Sequence, residues 1–128
     1  MVLSRLLSAA FVYAAAILLL GILLGTLRVL VLAPRVGAVA AVLIELPVIL
    51  GASWVMAGMV LRRWPAVPPA PIGLLGFLLL MAGEFALARL AFAIGPRDWL
   101  GGFATLPGAL GLAGQVVFAL IPWWRGRA

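Results

Sequence analysis

From Ser8 to Leu32 the chain is apolar apart from Tyr13, Thr26 and Arg28. A helix rises ~1.5 Å per residue, so ~20 such residues cross the ~30 Å hydrocarbon core of a bilayer. Three more runs of similar character follow, over Val36–Val60, Ile72–Ala93 and Leu106–Trp124. Inside lipid every backbone N–H and C=O must be paired within the protein, and a helix does this segment by segment. The expected fold is therefore an all-α membrane protein. It is a four-transmembrane-helix bundle, with residues 1–128 forming one integral membrane domain. Composition agrees. Hydrophobic residues make up 67% of the 128 and charged residues only 9%, against about 25% charged in soluble domains. A chain this short has too little interior to hide so much apolar surface from water. The first run extends too far for the short apolar core of a cleaved signal peptide, so a span is expected there.

Three breaks separate the runs. Proline disfavours helix at the residue before it, which predicts a turn at Ala33-Pro34-Arg35. Pro65, Pro68, Pro69 and Pro71 crowd the second connector, which should be extended and stiff. Gly95, Pro96, Gly101 and Gly102 mark the third.

Every basic residue is arginine. Arg5, Arg62, Arg63, Arg125 and Arg127 fall on one side of a four-span topology. Arg35 and Arg97 fall on the other, with Arg97 next to Asp98, plus Arg28 near the membrane edge. This bias places both termini in the cytoplasm. Arginine without lysine, beside abundant Ala, Leu, Gly, Val and Pro, suggests a GC-rich bacterial genome and hence a bacterial inner membrane. Arg62, Arg63, Trp64, Trp123 and Trp124 would then form the inner lipid interface, since tryptophan prefers the boundary between lipid and water. Nucleic acid is not expected as a partner, because the arginines sit at span ends.

The chain has no Cys or His and only three carboxylates: Glu45, Glu84 and Asp98. No thiol chemistry, haem ligation or zinc site can be assembled, nor can a Ser/His/Asp set. No metal or cofactor is expected, and the protein reads as non-catalytic.

Glu45 and Glu84 lie near the middle of their spans, with Gln115 at similar depth and Arg28 and Arg89 nearer the outer surface. An unpaired charge at such depth is costly, so these groups should face the bundle interior and find partners. A tight turn between the first two spans brings Arg28 within reach of Glu45. Glu84 should meet Gln115 or the Arg28–Glu45 group. Arg89, five positions beyond Glu84 and ~140° around the helix, should not pair with it. Small residues suggest helix-packing faces: Gly21-x-x-x-Gly25 on the first span, Gly37 with Ala41 on the second, and Gly111 on the fourth. Gly73, Gly76 and Gly83 do the same beside Glu84. Pro47 should kink the second span.

Two stretches also look alike. Arg28, Pro34-Arg35 and Leu46-Pro47 recur in order as Arg89, Pro96-Arg97 and Leu106-Pro107. A parallel repeat of two helical hairpins about an axis along the membrane normal would explain this. In length and span number the chain is similar to the small multidrug exporters, but the resemblance stops at size. Those proteins carry a glutamate in the first span, where this chain has Arg28 and no acid.

Two functions fit. The first is an accessory or structural subunit of a membrane complex, or a self-associating protein, whose interior charges hold the bundle together. The alternative is a small homo-oligomeric transporter or ion channel using Glu45 and Glu84.

Overall fold

The computed structural model describes residues 2–127. Helix α1 (Val2–Leu27) runs through a π-helical turn (Arg28–Leu32) into the short α2 (Ala33–Val36). Then come α3 (Ala38–Arg63), α4 (Pro69–Phe92), the short α5 (Pro96–Gly102) and α6 (Leu106–Arg127). Four segments are long and apolar enough to cross a membrane: Leu3–Val36, Ala38–Arg63, Pro69–Phe92 and Leu106–Arg127. Their outward faces are apolar too, with Leu19, Leu23, Leu74 and Leu90 all exposed. Such a surface suits lipid and not water. The chain is an all-α, multi-pass membrane protein with a four-helix bundle.

The first turn falls later than the sequence predicts. Helix continues through Pro34, and the chain reverses at Gly37, whose φ of 89° and ψ of 160° are open only to glycine. The π turn makes this possible. The Ala33 N–H bonds the Arg28 carbonyl, five residues back, so Pro34 enters a locally widened helix. Gly37 is thus a hinge residue. It does not pack a helix face, and a Cβ there would meet nothing within 4 Å.

The bundle has four sides: α1 packs on α3 and α4, and α6 packs on α3 and α4. Hence α1 stands across from α6, and α3 across from α4, although α3 and α4 are consecutive in the chain. The two hairpins lie side by side, with α1 against α4 and α3 against α6. A central axis along the membrane normal would exchange opposite helices, and here the opposite helices run antiparallel. The parallel-repeat symmetry is therefore not the architecture. Pro47 and Pro107 also differ in setting, the one deep inside α3 and the other in the first turn of α6.

The core occupies one half of the bundle. Tyr13 and Ile17 of α1, Ala57 and Val60 of α3, Ile72 and Leu80 of α4, and Phe118 and Ile121 of α6 form one buried cluster. All lie in the half nearer the termini, here called the terminal half. Its glycines are the close approaches. A Cβ on Gly73 would collide with the Ala119 carbonyl, and one on Gly76 would sit 3.0 Å from the Tyr13 ring. The distal half, which holds Arg28 and Gly37, is packed less closely.

Candidate functional site: a polar cavity in the distal half

Between the four spans, above the Tyr13–Phe118 layer, lies a cavity of about 530 Å³. Its floor includes Ile17, Leu80 and Phe118, and its walls are largely apolar. Gly21 and Gly25 of α1 and Gly111 of α6 line it. These were expected to permit close helix contact. Instead, a Cβ on Gly21 or Gly111 would meet nothing within 4 Å, and one on Gly25 would touch only the Arg28 guanidinium at 3.7 Å. The missing side chains make space here, whereas at Gly73 they make contact. Of the lining residues, Ile22, Thr26, Val29, Leu30 and Phe92 are exposed, and those from α3 and α6 are not. The cavity therefore opens at the distal ends of α1 and α4.

Besides the exposed Thr26, three charged side chains and one amide line it. Arg28 donates from Nη1 to Glu45 Oε2 at 2.8 Å. The two residues lie almost equally far before and after Gly37, so the late turn brings them to one level. Glu45 is 12% exposed and Arg28 34%, so the carboxylate is the deeper partner. Across the cavity, Gln115 donates from Nε2 to Glu84 Oε2 at 2.5 Å. Glu84 lies within electrostatic reach of both Arg28 and Glu45. The other amide atom, Gln115 Oε1, is buried and accepts no hydrogen bond from the protein. A buried acceptor without a donor costs about 1–3 kcal/mol. Gly114, next to Gln115, accommodates the Leu46 side chain and holds α3 against α6.

The remaining expected residues lie elsewhere. Arg89 belongs to the exposed end of α4 and, among the described residues, pairs with no acid. Its position around the helix turns it away from Glu84, so it does not join the polar cluster. Pro47 is on the exposed face of a continuous α3 and leaves the Leu43 carbonyl without a helical donor. Arg62, Arg63, Trp64, Trp123 and Trp124 gather at the terminal end. There Arg63 covers the Trp64 ring at 5.0 Å and Arg127 covers the Trp123 ring at 4.5 Å. Among the described residues no three potential metal ligands come together.

Two features had no place in the sequence reading. The Tyr13 hydroxyl donates to the Phe118 carbonyl at 2.7 Å, and the two rings stack at 4.3 Å. Pro122, four residues after Phe118, was the available signal, since it frees that carbonyl. Arg125 lies in the groove at Gly58 and covers Trp54 at 5.3 Å. Its Nε is buried without a partner.

Fold and site together define a class: a multi-pass membrane protein of four spans, close-packed at one end and hollow, with a charged interior, at the other. No protein-family model matches the chain, and no curated protein or solved structure matches it either, so the site itself carries the functional reading.

Proposed function

We propose that the protein is a small membrane transporter for an organic cation with an apolar body. One observation carries this reading: the cavity holds two carboxylates, Glu45 and Glu84, against a single guanidinium, Arg28. Counted as ionised, the site has one negative charge too many. In a low-dielectric setting that excess is costly unless an occupant offsets it. A proton or bare ion would supply the charge but not fill the space. The volume falls in the ~300–1,000 Å³ range of small-molecule sites, against about 30 Å³ for one water. Apolar walls suit a hydrocarbon or aromatic body. The Glu45 and Glu84 carboxylates suit a cationic centre.

The second reading is a non-catalytic accessory subunit that docks laterally on another membrane protein or a second copy. The Arg28–Glu45 pair favours it, because that pair is complete without a ligand and joins α1 to α3. In both readings the location is a bacterial inner membrane, from the arginine-without-lysine composition, with cytoplasmic termini, from five arginines and no acid at the terminal end. The chain lacks cysteine, so single cysteines at Ala66 and Gly101 can be labelled with an impermeant maleimide in intact cells. Labelling at Gly101 and not Ala66 is expected.

The deciding experiment is tetraphenylphosphonium binding and uptake by the protein in lipid nanodiscs and liposomes. Saturable binding is expected, weakened at least tenfold by Glu84→Gln and unchanged by Arg89→Gln. Absence of saturable binding by tetraphenylphosphonium and by smaller quaternary ammonium ions, with a stoichiometric membrane partner co-purifying in mild detergent, would leave the accessory reading in its place.

A further inference from the structure

The terminal end of the bundle carries Arg5, Arg62, Arg63, Arg125 and Arg127 and no acidic side chain. Three of these guanidiniums rest on tryptophan rings, and none has a carboxylate partner among the described residues. Aromatic faces orient a guanidinium and leave its N–H groups free to donate. A second pocket, of about 460 Å³, lies at this end between α1 and the connector to α4. Arg5 of α1 forms one side. Arg63, Trp64, Pro65 and Ala66 form the other, and Val67 closes the base. Val67 is 3% exposed and belongs to the buried core. Its N–H bonds the Trp64 carbonyl at 3.1 Å, so the connector is pinned as a turn and holds Arg63 opposite Arg5.

We propose that this pocket binds the phosphate of an anionic phospholipid, with Arg5 and Arg63 as paired donors. Guanidinium groups match phosphate oxygens with two parallel hydrogen bonds each. Two exposed arginines face one pocket with no acid to neutralise them, an arrangement that suits an anion. The setting selects a lipid over a soluble phosphate. Leu3 and Leu7, on either side of Arg5 along α1, are exposed and offer an apolar surface to an acyl chain. Trp64, Trp123 and Trp124 mark this level as the lipid–water boundary. Basic pockets at such boundaries hold anionic headgroups. The site is independent of the distal cavity, and neither depends on the other's ligand.

Native mass spectrometry of the protein released from nanodiscs of equal phosphatidylglycerol and phosphatidylcholine tests this. Wild-type protein is expected to retain phosphatidylglycerol in at least fivefold excess. Arg5→Gln with Arg63→Gln should abolish that excess, whereas Arg127→Gln, which removes a charge at the same end outside the pocket, should preserve it. Should the double variant fail to fold, Arg5→Lys with Arg63→Lys keeps the charge but not the paired geometry, and should reduce the excess. Equal retention of the two lipids overturns the proposal. So does an equal loss in Arg127→Gln, which would mean diffuse charge attraction. Full displacement of the lipid by equimolar inorganic phosphate would overturn the lipid assignment in favour of a soluble phosphate.

Discussion

Tyr13 and Phe118 meet twice: ring stacks on ring at 4.3 Å, and the Tyr13 hydroxyl donates to the Phe118 carbonyl at 2.7 Å. The second contact repairs a defect. In a regular helix the Phe118 carbonyl would accept from residue 122, but Pro122 has no N–H to give. The phenol of an opposing helix supplies it, and α1 is tied to α6 through the middle of the bundle. Tyr13→Phe keeps the stack and orphans the carbonyl. It is expected to cost about 1–3 kcal/mol in equilibrium unfolding in mixed micelles. Combining it with Pro122→Ala, which restores a helical donor, should recover most of the loss.

Arg28 and Glu45 form the one ion pair among the described residues. Removing either partner strands the other. Fully buried pairs broken this way lose about 3–5 kcal/mol. Because Arg28 is 34% exposed, about 2 kcal/mol is expected for Arg28→Met or Glu45→Gln. The double variant Arg28→Met with Glu45→Met should lie closer to wild type than either single change in a double-mutant cycle.

The glycines divide by location. Gly73→Ala drives a methyl into the Ala119 backbone and should prevent close packing of α4 on α6, read as loss of a monodisperse species in detergent. Gly21→Ala and Gly111→Ala meet open space and should be neutral or stabilising by up to about 1 kcal/mol through helix propensity. They should also narrow the cavity and weaken cation binding.

Gly37→Ala forces a side chain into a conformation that only glycine adopts readily, at about 1–3 kcal/mol. The lost stability should appear in thermal unfolding. Pro34→Ala, at a position already helical, should leave stability nearly unchanged.

The four spans were legible because run length against bilayer thickness is a one-dimensional property. The Arg28–Glu45 and Glu84–Gln115 contacts were legible because matched depth and the cost of a lone charge leave few partners. The turn was misplaced by three residues. Proline forbids only a regular α-helix around it, and the π turn at Arg28–Leu32 is not regular. The hairpin symmetry failed because Arg and Pro near span ends follow from topology and do not fix which helices are neighbours. The roles of Gly21, Gly25 and Gly111 were inverted because a glycine in the sequence reports only a missing side chain. Whether a neighbour fills the gap depends on helix spacing, and hydropathy carries no record of that.

The connector from Trp64 to Pro68 joins α3 to α4, which face each other across the bundle, and Val67 is anchored in the core beneath it. It therefore crosses the terminal end like a bolt drawn over a door. Stiffened by its prolines, it makes the distal chamber a cul-de-sac. On the proposed transport reading, a molecule at Glu84 has the distal opening as its way in, and its way out on the other side requires the connector or the Tyr13–Phe118 layer to move. The slow step of passage, on that reading, is expected at that end.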